Sequence, residues 1–297
     1  DLKNWDQINV FIPRQLSRNV HKYWRKNWHK SYKEAIQILE DKTSLLKITP
    51  TKWKYKLITN RDKYIDRPIN IKWLDTQLTE GGVIVKPSIG SFSRNIVYIC
   101  KENRKLSITR LFTQTNTIKV DIQESIIYPS DIFDIYLKLF KNNEKLMITP
   151  YLNHWEDLIV TFPSVVVRVI TAKKTLHEMP KCTNIWLEIP LSSKKVFFVD
   201  KKLNLINLNP NKLSDIDKKE INKWREILQK KDKNFLNNCI LASIDMHFRL
   251  KNINCVAWDW VPSNKDPKLL EGNSGYDLFL PKLFNHLNNQ SGLQYDL

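Results

Sequence analysis

AWDWVPSNKDPKLLEGN, residues 257 to 273, is the stretch on which the reading of this chain turns. A short apolar run carries a single acid, Asp259; a polar turn follows; a second apolar run then stops at Glu271 and Asn273. Two apolar runs joined by a polar turn are the pattern of a β-hairpin. Asp259 and Glu271 fall on its paired strands, and Asn273 is the next position on the same face, because side chains alternate along a strand. Two carboxylates and an amide carbonyl can then converge on one point, which is tolerable where a divalent cation neutralises them. In the plainer reading Asp259 and Asn273 cap turns and Glu271 pairs with Lys268.

A chain of 297 residues, 42% hydrophobic and 11% aromatic, can bury one large core or two lobes that share a cleft. It has no apolar run of eighteen residues and no apolar signal core after Asp1, so neither a membrane span nor a secretory signal is expected. Cys100, Cys182, Cys239 and Cys255 are scattered, with no CxxC pair, and read as reduced core thiols of a cytoplasmic protein.

The net charge of +17 is uneven: residues 1–70 hold 16 lysines and arginines against 7 acids. Such a field favours anionic partners and speeds their capture, but it does not fix the fold. Within it, HKYWRKNWHK (His21 to Lys30) interleaves cations with Tyr23, Trp24 and Trp28. Stacking platforms for nucleic acid have this composition. Trp24 and Trp28 are four apart, however, and share a helical face, which favours packing of a helix over a nucleic-acid surface.

Helices are expected over 15–40, 67–80, 130–142, from Ser214 through SDIDKKEINKWREILQKK, and about 234–249. Strands are expected at VIVKP (Val83 to Pro87), NIVYIC, 105–112, 117–122, KLMITPYL and VVVRVITA (Val165 to Ala172). Without strict βαβ alternation the class is α+β rather than a doubly wound sheet. Five of six glycines flank two motifs, Gly81, Gly82 and Gly90 around VIVKP, and Gly272 and Gly275 around the acid–amide pair. Glycine is used where a backbone must turn tightly or approach a ligand. KPSIGSFSR (Lys86 to Arg94) offers an ammonium, a turn of small residues whose N–H groups can cradle phosphate, and a guanidinium.

Taken in order, Lys86-Pro87 with Gly90-Ser91, ITPYL (Ile148 to Leu152), VVVRVIT with Arg168, and AWDW…LLEGN resemble the ATP-grasp superfamily. The nearest likeness is to the sugar-transfer associated ATP-grasp proteins, over about residues 40–280. The resemblance implies two α+β lobes enclosing a nucleotide cleft: a basic, largely helical segment over 1–80, a small lobe over 81–146, and a large lobe with the metal site over 147–297. It implies ATP and Mg²⁺ as cofactors. Lys86 would contact the phosphates beneath the Ser88 to Ser93 turn, including Gly90 and Ser91, with Lys42 as a weaker match to an earlier phosphate-side lysine. The segment Met147 to Tyr151, with Ile148, Thr149 and Pro150, would read the adenine edge through its backbone. Ile148 and Leu269 would enclose the ring. Arg168 would stabilise the transferring phosphoryl group, and Asp259, Glu271 and Asn273 would hold Mg²⁺.

This chain departs from the pattern in its loop, SIGSFSRN, which is poorer in glycine than its relatives' and carries Ile89 and Phe92. It also has Thr149 where relatives commonly carry glutamate or glutamine. CTNIW (Cys182 to Trp186) discloses no acceptor chemistry, and His154 and His177 are only nominal candidates for a general base. The activity implied is an ATP-dependent carboxylate–amine, or carboxylate–nucleophile, ligase acting through an acylphosphate in polysaccharide or sugar-conjugate biosynthesis. A sugar or polyol kinase and an inactive basic module for an anionic polymer are the alternatives. The partners implied are ATP and an anionic small-molecule or sugar-linked acceptor, and peripheral membrane contact is compatible with the charge.

Overall fold

The computed structural model describes residues 30–89, 95–102, 105–110, 118–121, 126–140, 145–152, 165–173, 177–191, 193, 196–203, 205–206, 213–231, 234–263 and 266–274. The chain divides into two compact units, one formed by Asp41–Asn153 and the other by Asp1–Glu40 with His154–Leu297. Helix α1 (Lys30–Glu40) is the described N-terminal part of the second unit.

The first unit contains α2 (Lys42–Ile48), β1 (Ile58–Thr59), α3 (Pro68–Glu80), β2 (Val83–Pro87), β3 (Val97–Glu102), β4 (Lys105–Arg110), β5 (Ile118–Asp121), α4 (Pro129–Phe140) and β6 (Leu146–Pro150). Its six strands form one antiparallel sheet in the order β1-β6-β2-β3-β4-β5. Proline at the first turn starts α3, where a missing N–H costs nothing. The helix buries Leu74 and Leu78 against Val83, Val85 and Ile99 of the sheet, and α4 adds Ile132, Phe133 and Tyr136 to the same core. The chain leaves α3 through Gly82, whose φ of +83° is left-handed; a Cβ there would overlap the ring of Tyr98. What approaches this glycine is therefore a tyrosine of the same unit.

The second unit contains β7 (Val166–Ala172), β8 (Lys181–Pro190), β9 (Val196–Val199), β10 (Leu205–Ile206), α5 (Asp215–Lys230), α6 (Asn234–Arg249), β11 (Cys255–Val261) and β12 (Lys268–Asn273). Its sheet is antiparallel in the order β10-β9-β8-β7-β11-β12. Ser214 caps α5 as its sequence suggests: its Oγ accepts from the Asp217 N–H at 3.2 Å, and Asp217 Oδ2 accepts from the Ser214 N–H at 2.9 Å. Ile221, Trp224 and Leu228 form the buried face of α5. All seven residues of β11 are buried, as the central position between β7 and β12 requires.

The class is α+β, with two six-stranded antiparallel sheets and six helices among the described residues. The units part at other positions than the sequence boundaries at 80 and 146. Ile58 pairs with Ile148, and Lys86 with Met147, so β1 and β6 belong to the same sheet as β2. The expected helix over 15–40 is described only from Lys30, and HKYWRKNWHK lies outside the described residues apart from that position. All four cysteines are free thiols; Cys239 and Cys255 are buried, whereas Cys100 and Cys182 are half-buried rather than core residues.

Candidate functional site

The opening hairpin forms with the expected pairing: Asp259 stands opposite Glu271, and Ala257 opposite Asn273. On its other side Asp259 stands opposite Arg168 of β7. Directly opposed residues share a face, so Arg168, Asp259, Glu271 and Asn273 form one row across three adjacent strands. Arg168 Nε donates to Asp259 Oδ1 at 2.6 Å and Nη2 to Oδ2 at 2.8 Å, a two-point fork. Asn273 Nδ2 donates to Asp259 Oδ2 at 3.3 Å and to Glu271 Oε1 at 3.2 Å.

Glu188 of β8 extends the row to a fourth strand. Its Oε1 lies 3.2 Å from Arg168 Nη1 and accepts from Trp186 Nε1 at 3.0 Å. Burial pushes the Asp259 carboxyl above the ordinary carboxylate range, to about 7, against the opposing pull of the Arg168 guanidinium. For Arg168, burial opposes the charge, but Asp259 outweighs it and the guanidinium is held more firmly protonated than usual. Of its five N–H donors three are committed to these carboxylates, and two remain among the described residues.

Two carboxylate oxygens therefore come within hydrogen-bond reach of a single amide nitrogen. Rotating the Asn273 amide would exchange its nitrogen for a carbonyl oxygen, giving the hard donor set that suits Mg²⁺. These residues fit the ion that the resemblance implies. Among the described residues no group of three or more His, Cys, Asp or Glu side chains is arranged to hold a metal; the set here is two acids and an amide.

The reverse face of the same strands carries neutral polar groups. Trp258 Nε1 donates to Thr171 Oγ1 at 2.8 Å, and Thr171 Oγ1 lies 2.8 Å from His247 Nδ1. The second ring nitrogen, His247 Nε2, lies 2.8 Å from the Ile253 carbonyl. Because an indole N–H can only donate and a carbonyl can only accept, Thr171 donates to Nδ1 and the imidazole carries its proton on Nε2. Trp260 Nε1 donates to Ser243 Oγ at 2.7 Å, and Ser243 donates to the Cys239 carbonyl at 2.7 Å. Burial pushes His247 down to about 4. Gly272 faces this side: a Cβ would fall 2.5 Å from Leu39 Cδ2 of α1 and 3.0 Å from the Trp258 ring.

A register shift follows Asp259, so that Trp260 stands opposite Leu269. Leu269 is fully buried beside Trp260 and not beside Asp259. A bulge inserts Leu270 between the two registers.

In the first unit, Lys42 and Lys86 are 7% and 9% exposed, an unusual depth for lysine. The Lys42 N–H donates to the Ser88 carbonyl at 3.0 Å, and the Ser88 N–H to the Lys145 carbonyl at 2.8 Å, so the start of α2 is tied to the end of β2. Asp41 holds this corner. Its carboxylate accepts from Lys145 Nζ at 2.9 Å, Thr43 Oγ1 at 2.7 Å, Ser44 Oγ at 3.0 Å and the Thr43 N–H at 3.0 Å. Burial would raise the Asp41 carboxyl, but these donors outweigh it and draw it down to about 2. Ser88 Oγ is fully buried without a hydrogen-bond partner among the described residues, which is costly unless another group, a ligand or water satisfies it. Ile89 is exposed; Gly90, Ser91, Phe92 and Arg94 lie outside the described residues, as do His154 and Gly275.

Ile148 and Thr149 are buried in β6, Pro150 is half-buried, and Tyr151 packs edge-on against Tyr98 at 5.6 Å. Met147 and Ile148 pair with β1 on one side and β2 on the other, and the Tyr151 N–H donates to the Gly82 carbonyl at 3.0 Å. His177 is exposed on a turn.

Glu188 and Trp186 are the members of the charged row that the sequence reading misses. The available signal is a lone acid inside IWLEIP, the same signature that marks Asp259 in AWDWV.

No protein-family model and no curated protein sequence matches the chain. Among solved structures it is similar to D-alanine–D-alanine ligase from Bacillus anthracis, with 14% identity and a TM-score of 0.41 over 84% of this chain and 62% of that one. It is also similar to N5-carboxyaminoimidazole synthetase from Staphylococcus aureus complexed with ADP, with 13% identity and a TM-score of 0.42 over 82% of this chain and 46% of that one. A third likeness is to VanG D-Ala:D-Ser ligase from Enterococcus faecalis, with 11% identity and a TM-score of 0.38 over 80% and 52% of the two chains. The chain thus spans less than two thirds of each of these proteins, and likeness at this level assigns neither a family nor an activity.

Proposed function

We propose that this protein is an ATP-grasp enzyme, an ATP- and Mg²⁺-dependent ligase that activates a carboxylate as an acylphosphate and passes it to an amine or another nucleophile. The observation that carries the reading is the convergence of Asp259, Glu271 and Asn273 on one sheet face beside Arg168, with the motif order read from the sequence. Asp259, Glu271 and Asn273 would hold Mg²⁺, which supplies charge neutralisation for phosphate oxygens when bound. The remaining N–H groups of Arg168 would meet the phosphoryl oxygens as charge develops on them. Lys42 and Lys86, with the hydroxyl of Ser88, which has no partner among the described residues, are the cationic and donor groups suited to phosphates already present in ATP. The acceptor is proposed to be an anionic or sugar-linked molecule, in keeping with the +17 charge, and the site of work the cytoplasm, where ATP is available. No helix among the described residues is long and apolar enough to cross a membrane.

Thermal shift with nucleotides, followed by an ADP-release screen over amino acids and nucleotide sugars, tests the reading. ATP should raise Tm more with Mg²⁺ than without it, and Glu271→Gln should erase that difference. Product analysis then separates the ligase, which yields ADP, phosphate and an amide or equivalent, from the kinase, which yields ADP and a phosphorylated acceptor. Absence of any nucleotide-dependent shift would overturn the proposal.

A further inference from the structure

Both oxygens of Asp259 accept from one guanidinium, and Asp259 is also a member of the oxygen set on which the proposed metal reading rests. The two-point fork at 2.6 and 2.8 Å engages both oxygens of Asp259, and Asn273 Nδ2 takes a second place on Oδ2, so few lone pairs of the carboxylate are left for a cation. A divalent ion drawn to Asp259 and Glu271 therefore meets a positive group already seated on one of its ligands. We infer that Arg168 and a divalent cation contend for Asp259, and that Glu188, braced by Trp186, is the positioning residue that receives the guanidinium when the cation takes Asp259.

Several features support this assignment. Glu188 Oε1 already lies 3.2 Å from Arg168 Nη1, on the far side of the guanidinium from Asp259, so the second anchor is in place without a change of backbone. Trp186 is 1% exposed, and its indole N–H fixes the same Oε1 at 3.0 Å, which makes Glu188 a stationary partner. The side chains of Arg168 and Glu188 are 25% and 22% exposed, against 5% for Asp259. The guanidinium thus has room to move outward, while the carboxylate it leaves stays within the sheet. Proximity also makes the two cations repel one another, and effective charge interactions over such distances amount to several RT even at protein-surface screening. Cation binding and release of Arg168 from Asp259 are then one coupled equilibrium, and the two donors that Arg168 commits to Asp259 are freed for another anion only once the metal is in place.

The inference rests on the metal reading, and titration of the full chain with Mn²⁺, nucleotide-free, followed by calorimetry and by the electron paramagnetic resonance of free Mn²⁺, keeps the two apart. Arg168→Met should bind Mn²⁺ at least about tenfold more tightly than wild type. Glu188→Gln should bind it several-fold more weakly, because the displaced guanidinium loses its second anchor, and that loss should largely vanish in the double variant with Arg168→Met. Arg168→Lys, which keeps the charge but not the fork, provides a second variant should the methionine protein fail to fold; it too should bind Mn²⁺ more tightly than wild type. Wild-type binding that is unchanged or weakened in both arginine variants, or a Glu188→Gln effect that survives in the double variant, overturns the contention while leaving the metal site standing. No Mn²⁺ binding by any of the proteins overturns the metal reading and this inference together.

Discussion

The two faces of strand β11 solve the same problem in opposite ways. Both bury polar groups in the middle of a sheet. On the tryptophan face every donor runs to a neutral acceptor, and each chain of bonds ends at a backbone carbonyl, Ile253 in one case and Cys239 in the other. On the acid face the bonds run between charges, and Arg168 retains two donors beyond those it commits. Burial moves the titrating member of each face away from its charged form, His247 downward and Asp259 upward. A completed neutral network leaves nothing for a ligand, whereas an incomplete charged one does, so the second face is where chemistry is to be sought.

Substitutions can break this contrast, and the largest effect belongs to the acid face. Asp259→Asn breaks an ion pair whose carboxylate is buried and leaves the half-buried Arg168 with Glu188 as its remaining carboxylate partner in the row, and should cost about 3 kcal/mol in urea unfolding. An Asp259→Asn protein as stable as wild type would mean that the ion pair is solvated and the face is not a closed charged row.

The tryptophan face should announce itself through pH. His247 is lowered from about 6.5 to about 4 in the fold, so the unfolded chain takes up a proton that the folded one refuses between those values. Stability should therefore fall as pH drops from about 6.5 to about 4, by about 3 kcal/mol in total, and level off below. A His247→Gln protein should lose that component of the profile. An unchanged acid limb in the variant would place its origin in other groups.

Thr171→Val removes one hydroxyl and strands two partners, the Trp258 N–H and His247 Nδ1. A loss of about 2 kcal/mol is expected, with no change in Mn²⁺ affinity; altered affinity would mean that the two faces are linked through the sheet. The smallest effect concerns Gly272, which lies between two ligand candidates in sequence yet faces Trp258 and Leu39. Gly272→Ala should cost about 1 kcal/mol by crowding those side chains and leave Mn²⁺ binding as it was. Loss of metal binding in that variant would show that the backbone at this point cannot shift without disturbing Glu271 and Asn273.

Much of this arrangement is legible in the sequence because its causes are local. The hairpin announces itself by two apolar runs and a turn, α5 by Ser214 and a stripe at Ile221, Trp224 and Leu228, and α3 by proline at its start and glycine at its end. Other features have no local cause. Pairing of Ile58 with Ile148, which joins residues on either side of the first unit, leaves no trace in either segment, and the unit boundary moves with it. The one-residue shift after Asp259 that takes Leu269 to the tryptophan face depends on how two strands settle, not on either alone. The pairing of Arg168 with Asp259 has no local cause either: what a guanidinium meets depends on what faces it, and Asp259 lies 91 positions away along the chain.

The glycine at 272 also sets a schedule. Leu39 of α1, only 1% exposed, belongs against β12, but the ribosome makes the helix first and the strand more than two hundred residues later. At roughly 5–20 residues per second the helix waits on the order of ten to fifty seconds for its partner. During that interval the whole of Asp41–Asn153 is synthesised, and since an isolated helix of 11 residues is marginal in water, Lys30–Glu40 gains its lasting fold only when β12 emerges.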